Sequence, residues 1–259
     1  MALLELQNMT KRFGGLTAVD DLNLKVDKNQ VYGIIGPNGA GKTTAFNCIT
    51  GIHPPEEGSV LWQGNDITRL APYKVAGKGI VRTFQTIRLF TEMSVAENIM
   101  SGRHFRSRQK MWHGIFHTPF SLKDEKENWL KVQENMEFFN IDHLAYEPVG
   151  SLPYGIQRKV EMARALASEP ELLILDEPAA GLNENETLQL VETINLIRES
   201  GITILLIEHD MELVMTVTDY ITVINFGKQI AEGRPEQVQS DPVVIEAYLG
   251  SDDEDDEDE

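Results

Sequence analysis

The sequence has very little cysteine, and its single thiol, Cys48, excludes an internal disulfide. Such cysteine usage fits a reducing compartment, and we predict only a packing role for this thiol. Long apolar runs are also missing, since no stretch approaches the roughly 18 apolar residues of a membrane-spanning helix. The first five residues carry neither the basic nor the apolar segment of a signal peptide, so we expect no secretion leader.

Positive charge is scarce as well. The chain has 23 lysines and arginines against 41 acidic residues, which gives a net charge of −18. Eight of the acids fall in residues 252–259, so the rest of the chain carries −10. This acidic balance argues against broad nucleic-acid binding, although a local basic patch stays compatible with it. The acid run offers no apolar residue to bury, and it predicts a disordered tail over residues 251–259.

Residues 36–44 carry the pattern G-x-x-x-x-G-K-T, which is typical of a phosphate-binding loop, or P-loop. The mostly apolar residues 31–35 predict a buried strand before it, and residues 43–51 predict a short helix after it. Glycines let successive N–H groups turn inward around an anion, and the helix dipole adds positive charge there. The predicted phosphate-binding residues are Gly36, Pro37, Asn38, Gly39, Ala40, Gly41, Lys42, Thr43 and Thr44. Lys42 is expected to reach the β- and γ-phosphates, and the Thr43 hydroxyl to bind Mg²⁺.

Two further apolar strands are predicted to end in polar groups. Residues 172–175 run into Asp176 and Glu177, which is a Walker B pattern. Asp176 would reach Mg²⁺, directly or through water, and Glu177 would orient or deprotonate the attacking water. Residues 203–207 predict a parallel strand followed by Glu208, His209 and Asp210. A histidine just past such a strand faces the crevice in which ligands bind to α/β sheets.

The remaining elements are predicted from local patterns. Residues 3–7 and 22–26 alternate between apolar and polar side chains, which predicts two antiparallel strands around a turn at 11–19. The aromatic residue of this turn, Phe13, could stack on adenine. That residue alone is more typical of surface packing. Residues 59–66 predict a strand and turn, 81–85 a strand ending in Gln85, and 221–232 a hairpin. Helices are predicted from Ser94, over 121–140, over 151–168, over 184–199 and over 235–249.

Residues 103–128 differ in character from their surroundings. They combine basic residues and aromatics with histidines at 104, 113 and 117. A metal site is one interpretation, but no cysteine or acidic cluster supports it. A solvated loop is the favoured interpretation, and a membrane-facing or partner-facing segment is the alternative. The helix that follows is expected to bury Trp129, Val132, Met136 and Phe139, which recur at helical spacing.

The order and spacing of these features, across nearly the whole chain, resemble the ATPase subunits of ABC transporters. Only ABC ATPases, among P-loop proteins, place a signature helix, here the helix predicted over 151–168, just upstream of Walker B. The resemblance implies an α/β fold, with a RecA-like P-loop NTPase core, an antiparallel β lobe and an inserted helical subdomain. We expect one ABC ATPase domain over 1–250: a β-rich and P-loop lobe (1–85 and 170–235), a helical subdomain (90–168) and C-terminal helices (235–250).

The resemblance also implies roles for single residues. Phe13 stacks on adenine, with Ala18 beside the nucleotide, and Gln85 senses Mg²⁺ and the γ-phosphate next to the transmembrane contact. Glu177 becomes the general base, and His209 the switch residue on the γ-phosphate. The residues that would face the partner's nucleotide are Leu152, Pro153, Tyr154, Gly155, Gln157 and Asn183, the last in a D-loop at 180–183.

Two departures fall on that partner-facing set. The usual signature Leu-Ser-Gly-Gly-Gln is here Leu-Pro-Tyr-Gly-Ile at residues 152–156, so Pro153 replaces the serine whose hydroxyl reaches a phosphate. Proline is comfortable at a helix start, so the helix and its dipole should survive. The usual D-loop aspartate is Asn183. Both changes leave this chain's own P-loop and Glu177 intact.

The subfamily looks like the ATPases of branched-chain amino acid importers, the Liv type, on the segments 82–90, 103–128, 207–211 and 247–250. That type implies ATP and Mg²⁺ as cofactors and a second, different ATPase chain, so we expect a heterodimer. It also implies permease subunits, an indirectly linked substrate-binding protein and a place on the cytoplasmic face of the membrane. Alternatives are a lipopolysaccharide-export ATPase, an amide or urea importer, a non-transport ABC ATPase, and a P-loop switch without turnover.

The acidic tail is expected to be dispensable for ATP hydrolysis, because like charges repel one another and bury no apolar surface. A chain ending at Gly250 should keep its ATPase rate in the assembled complex. A loss of rate on truncation would instead assign the tail a role in docking or regulation.

Overall fold

The computed structural model describes residues 2–103 and 119–249 of the chain. Within these ranges the strands are β1 (Leu4–Phe13), β2 (Leu16–Val26), β3 (Val31–Ile35), β4 (Glu57–Trp62), β5 (Asn65–Asp66), β6 (Ile80–Arg82), β7 (Leu172–Asp176), β8 (Thr203–Ile207), β9 (Tyr220–Asn225) and β10 (Lys228–Gly233). The helices are α1 (Lys42–Ile49), α2 (Pro72–Gly77), α3 (Val95–Gly102), α4 (Pro119–Phe138), α5 (Tyr154–Ala167), α6 (Glu184–Glu199), α7 (Met211–Val217), α8 (Pro235–Gln239) and α9 (Pro242–Leu249). Short 3₁₀ turns lie at Asp142–Leu144 and Val149–Ser151.

A six-stranded sheet forms the centre of the fold, in the order β10-β9-β3-β8-β7-β6. Its strands are parallel except for β10, which pairs antiparallel with β9 at the edge. Val31 and Ile35 pack into the core on one face of the sheet, whereas Tyr32 and Ile34 pack into the core on the other. Both faces are therefore covered, which explains the unbroken apolar sequence of β3. The loops after β3, β7 and β8 emerge side by side at one edge.

An antiparallel sheet of four strands, in the order β2-β1-β4-β5, packs with α1 against one face of the central sheet. Cys48 of α1 lies buried in this core, and burial raises the pKa of its thiol to about 12. The predicted packing role of this cysteine is confirmed. Helices α3, α4 and α5 pack on one another, and buried residues of all three belong to the core on the opposite face.

The turn predicted over residues 11–19 is wrong. β1 and β2 continue toward each other until only Gly14 and Gly15 separate them. The pairing of β1 with β2 contains register shifts between Leu6 and Arg12, and Asn8 has a positive φ of 48°. These irregularities bury consecutive residues of the strand and interrupt the alternation on which the prediction depended.

Two other predictions also differ from the structure, the end of β6 and the burial of Trp129. β6 ends at Arg82, although the Thr83 N–H still bonds the Ile174 carbonyl, so Gln85 lies in a loop rather than at a strand end.

Trp129 was predicted to be core but is 43 % exposed, because the buried stripe of α4 runs through Asn128 and Val132 instead. The residues of 103–128 from 119 onward are helical, and the three histidines of the metal hypothesis lie outside the described residues.

The C-terminal residues form two helices rather than the single predicted one, and the break falls just before Pro242. The residue before a proline disfavours helical geometry, which explains the break. Helix α3 begins after Ser94 as predicted, and the side chains of Ser94 and Glu97 cap it reciprocally. The acidic tail lies outside the described residues. Across residues 2–103 and 119–249, no helix is both long and apolar enough to span a bilayer.

Candidate functional site

The loop between β3 and α1 has a backbone that only glycine can supply at two positions. Gly36 has a φ of 153° and Gly41 a φ of 107°. A Cβ on Gly36 would collide with the Ile224 carbonyl, and one on Gly41 with the Ala18 carbonyl. The glycines of the motif are therefore required by close approach of β2 and β9 as well as by the turn itself.

Lys42 follows this loop at the first position of α1 and is only 7 % exposed. Its Nζ donates to the carbonyls of Gly36 and Pro37, at 2.6 and 2.8 Å. Burial lowers the pKa of the Lys42 ammonium, while the carboxylates of Glu177 and Asp176 act in the opposite direction. The loop thus holds a cation at the base of the helix N-terminus, where an anion binds best.

Asp176, the last residue of β7, is buried and forms an ion pair with Arg82, whose Nη2 lies 2.5 Å from Oδ2. The same guanidinium donates to the Asn47 side chain of α1 at 2.7 Å. Arg82 therefore bridges β6, β7 and the P-loop helix. Sequence reasoning missed this residue, because its partner lies 94 positions away.

Glu177 begins the loop after β7 with a positive φ of 46°. Its Oε2 accepts a hydrogen bond from Gln85 Nε2 at 2.6 Å and lies 4.0 Å from His209 Nδ1. The structure therefore brings together three of the predicted residues, which come from three different loops. A carboxylate with a glutamine and a histidine beside it is suited to orient water and to accept its proton.

A cleft of about 440 Å³ opens beside the P-loop. Its lining includes Phe13, Ala18, residues 38–44 and Glu177. Phe13 is 44 % exposed and meets the His53 ring edge-on, with ring centroids 5.6 Å apart. Lys11 Nζ lies over the same ring, 5.1 Å from its centroid, and the ring lines the cleft in which the stacking interpretation places adenine.

Phe226 also lines this cleft, and sequence reasoning assigned it no role. It lies at the tip of the β9–β10 hairpin, where it is 82 % exposed with a φ of 45°. Its neighbour Gly227 donates to the Ala40 carbonyl and accepts from Asp20, which fixes the tip against the P-loop. The signal available in the sequence was an aromatic residue directly before a glycine in the predicted hairpin turn.

The predicted signature segment lies away from the P-loop cleft, whose described lining contains none of its residues. Pro153 is the N-cap of α5, and Gln157 Nε2 donates back to the Leu152 carbonyl at 2.8 Å. Gly155 packs so closely on Glu186 that a Cβ would collide with its carboxylate. Asn183 caps α6 reciprocally with Glu186, which gives this residue a structural role. Tyr154 is 42 % exposed at the helix start.

Glu208 is a third residue, after Arg82 and Phe226, to which the sequence analysis assigned no role. Its side chain is fully buried at the end of β8, and its carboxylate accepts from the Ala179 N–H at 2.7 Å and the His209 N–H at 3.2 Å. Burial raises the pKa of this carboxyl, against the opposing effect of these N–H groups. Glu208 thus ties the loop that carries His209 to the loop that follows Glu177.

These residues have the arrangement expected of a P-loop ATPase site: a G-x-x-x-x-G-K-T loop, an Asp-Glu pair and a polar cluster around Glu177 at the ends of parallel strands. A family model described as ABC transporter matches residues 19–180, and one described as Branched-chain amino acid ATP-binding cassette transporter matches residues 228–254. The chain belongs to the ABC transporter family, and it is an ATP-binding ATPase subunit of that family. Membership implies membrane permease partners and a dimer of ATPase chains.

Two curated relatives are similar over their full length. The high-affinity branched-chain amino acid transport ATP-binding protein BraF of Pseudomonas aeruginosa is 47 % identical over 249 residues, covering 96 % of this chain and 98 % of that protein. LivG of Escherichia coli, named in the same way, is 43 % identical with the same coverage. The resemblance to the ATPases of branched-chain amino acid importers is confirmed.

Among solved structures, the ADP conformation of an ATP-binding cassette of an ABC transporter superposes with a TM-score of 0.85 and 36 % identity, covering 96 % of this chain and 99 % of that one. A nucleotide-free cassette gives a TM-score of 0.83 and 35 % identity, with the same coverage. The α/β fold predicted from the sequence is confirmed.

Proposed function

We propose that this chain powers the uptake of branched-chain amino acids as one ATPase subunit of a membrane importer. The observation that carries the proposal is the full-length identity of 47 % and 43 % to two ATPases named for that transport. The match of residues 228–254 to the C-terminal family model supports the same subtype. Within this subtype the chain would lie on the cytoplasmic face of the membrane and respond indirectly to a substrate-binding protein.

The experiment is reconstitution of the native complex in proteoliposomes loaded with Mg²⁺ and ATP. Uptake of leucine, isoleucine and valine should be ATP-dependent and should exceed uptake of an amide and of urea. Preferred uptake of urea or an amide would favour the related importer. ATP hydrolysis without uptake of any of these solutes would reject the proposed substrate class while retaining the ATPase.

ATP would lie with its phosphates on the P-loop and its adenine ring on Phe13. Lys42 and the inward N–H groups of residues 38–43 would neutralise the phosphate charge. Glu177 would orient the attacking water and take its proton. Gln85 would hold the Glu177 carboxylate in place, and His209 would contact the γ-phosphate. Phosphoryl transfer requires little covalent chemistry from the protein, so positioning and charge carry the reaction.

The oxygen-rich side of this site fits Mg²⁺. Thr43 is exposed and lines the cleft, Gln85 is exposed next to Glu177, and the Asp176 carboxylate lies at the neighbouring strand end. A hydroxyl, an amide oxygen and a carboxylate are the donor types that Mg²⁺ prefers. When bound, the ion would neutralise charge on the β- and γ-phosphates. Because Arg82 already pairs with Asp176, this carboxylate would act on the ion through water.

A groove of about 350 Å³ between α2 and β6 on one side and α3 and α5 on the other suits the permease subunits. Its lining includes Arg82 and Phe84, which lie close to Gln85 in sequence, and Glu161 and Arg164 of α5. A permease segment there would contact both the nucleotide-sensing loop and the predicted helical subdomain at 90–168. This arrangement would transmit closure of the ATPase dimer to the membrane.

The working unit would be a heterodimer of unlike ATPase chains, with unequal sites. Pro153 offers neither a hydroxyl nor an N–H to the partner's phosphate, so the N–H groups of Tyr154 and Gly155 must serve instead. Losing one preorganised donor at a transition state costs about 3–4 kcal/mol, in part offset by the helix dipole. This chain's own nucleotide would face the partner's signature.

We therefore expect the loss of the general base Glu177 in this chain to lower turnover more than the loss of the general base in the partner. The test is to substitute each base separately by glutamine in the reconstituted importer and to measure ATP hydrolysis and uptake. Equal losses would reject the asymmetry. Full transport with this chain as the sole ATPase would reject the heterodimer.

A further inference from the structure

We propose that Arg82 sets how tightly this site holds Mg²⁺, because its guanidinium occupies the Asp176 carboxylate and weakens the attraction of that carboxylate for the ion. The inference rests on the proposed function, since it concerns the ion that accompanies ATP. It adds a positioning residue that would act through Asp176. Arg82 itself is absent from the described lining of the P-loop cleft.

Arg82 and Asp176 form a buried ion pair between the neighbouring strands β6 and β7. Nη2 lies 2.5 Å from Oδ2, and each of the two side chains is only 7 % exposed. Water screens a buried pair weakly, so the guanidinium offsets the negative charge of the carboxylate at close range. A carboxylate paired in this way attracts a divalent cation less strongly than an unpaired carboxylate does.

Contacts with the P-loop helix and with the loop after β6 hold the guanidinium on Asp176. Arg82 Nη1 donates to Asn47 Oδ1 of α1 at 2.7 Å. The ring centroids of Phe46 in α1 and Phe84 in the loop lie 5.8 and 5.6 Å from Arg82 Cζ, within the range of cation–π attraction. The guanidinium therefore cannot leave Asp176 without losing these contacts as well.

Asp176 is the carboxylate on which an ion at this site would depend most. Mg²⁺ is usually held by one or two carboxylates together with the phosphates of the substrate. Asp176 and Glu177 are the two carboxylates that act on the Lys42 ammonium. Glu177 accepts from Gln85 and is the proposed base, which leaves Asp176 for the ion. With Arg82 on Asp176, the phosphates would supply most of the attraction, and the ion would leave more easily with the product ADP.

The competing interpretation is that Arg82 only orients the Asp176 carboxylate toward the ion. Loss of a residue that orients a metal ligand lowers metal affinity by about 10- to 100-fold. Loss of a residue that neutralises a metal ligand raises the affinity instead. The two interpretations therefore predict changes of opposite sign when the guanidinium is removed.

The experiment is calorimetric titration of the full chain with the non-hydrolysable probe AMP-PNP, over a series of free Mg²⁺ concentrations. The quantity compared is the Mg²⁺ midpoint, the free concentration that gives half of the gain in AMP-PNP affinity. Arg82→Gln removes the charge but keeps an amide beside Asp176 and Asn47. Its Mg²⁺ midpoint should be about tenfold lower than that of the wild type.

The matched control is Arg88→Gln, which removes an equal charge from an exposed position of the same loop. Arg88 lies over the Phe84 ring, with Cζ 4.5 Å from its centroid, rather than on Asp176. This variant should keep the wild-type midpoint, because the carboxylate stays paired.

Arg82→Lys replaces Arg82→Gln if the neutral variant does not fold, since it leaves no uncompensated charge next to Asp176. Lysine lacks the planar fork that bonds Asp176 and Asn47 at once, so its hold on the carboxylate is weaker. The Mg²⁺ midpoint of this variant should be about threefold lower than that of the wild type.

The outcomes separate this inference from the proposed function. A wild-type chain that binds no AMP-PNP at any Mg²⁺ concentration would reject nucleotide binding itself, and the inference with it. An unchanged or higher midpoint in the folded Arg82 variant would overturn the inference while the nucleotide site stands. An AMP-PNP affinity that is independent of Mg²⁺ in every variant would do the same.

Discussion

Glu177→Gln is expected to lower ATP turnover of the assembled importer by at least about a hundredfold, the usual contribution of a general base. The amide keeps the shape of the side chain but cannot take a proton. Gln85 and His209 contact this carboxylate from two other loops, so the geometry around the substituted side chain should persist. ATP should therefore still bind, and the closed dimer should accumulate.

Steady-state hydrolysis and nucleotide affinity should be measured on the same preparation. Glu192→Gln is the matched control, because it removes an exposed carboxylate of α6 by the same chemical change. It should leave both quantities unaltered. A Glu177→Gln complex that hydrolyses ATP at nearly the wild-type rate would remove this residue from the role of base.

Lys42→Ala is expected to weaken ATP binding by about 10- to 100-fold. A charge-assisted hydrogen bond contributes about 1.5–3 kcal/mol, and each 1.4 kcal/mol changes affinity tenfold. Truncation removes the ammonium that the Gly36 and Pro37 carbonyls hold at the loop, and no other lysine lines this cleft in the described part of the chain. The phosphates would therefore meet only backbone N–H groups and the helix dipole.

Calorimetric titration of the full chain with ATP in Mg²⁺ gives the affinity directly. Lys25→Ala, at an exposed position of β2, removes an equal charge away from the cleft and should bind ATP normally. An unchanged affinity for Lys42→Ala would exclude this lysine from phosphate binding.

The strands that carry the site were predictable because each combines local sequence with a position at a strand end. β3, β7 and β8 are short apolar runs, and the residues after them supply the P-loop, Glu177 and His209. Parallel pairing then brings these ends together without further information. The same reasoning predicted only the first part of β1, because the bulges in its pairing with β2 depend on the partner strand rather than on the pattern of one strand.

The side chains that hold the site together were not predictable in the same way. Arg82 and Glu208 each follow an apolar run, and nothing local indicates that their side chains are buried. Their partners lie 94 and 29 positions away, respectively. Periodicity identifies the face of an element, but the choice of a distant partner follows only from the packed arrangement of elements.

The close approach of Gly36 to Ile224 and of Gly41 to Ala18 has a consequence for the thermodynamics of ATP binding. Two neighbouring strands enclose the loop, and the Gly227 N–H bonds the Ala40 carbonyl within it. A loop confined in this way has little conformational freedom left to lose, so ordering it costs the nucleotide little entropy. Affinity gained through such preorganisation requires no additional contact with the ligand. A substitution at Ile224, which is not among the residues that line the cleft, can therefore change affinity by altering the shape that the loop holds before ATP arrives.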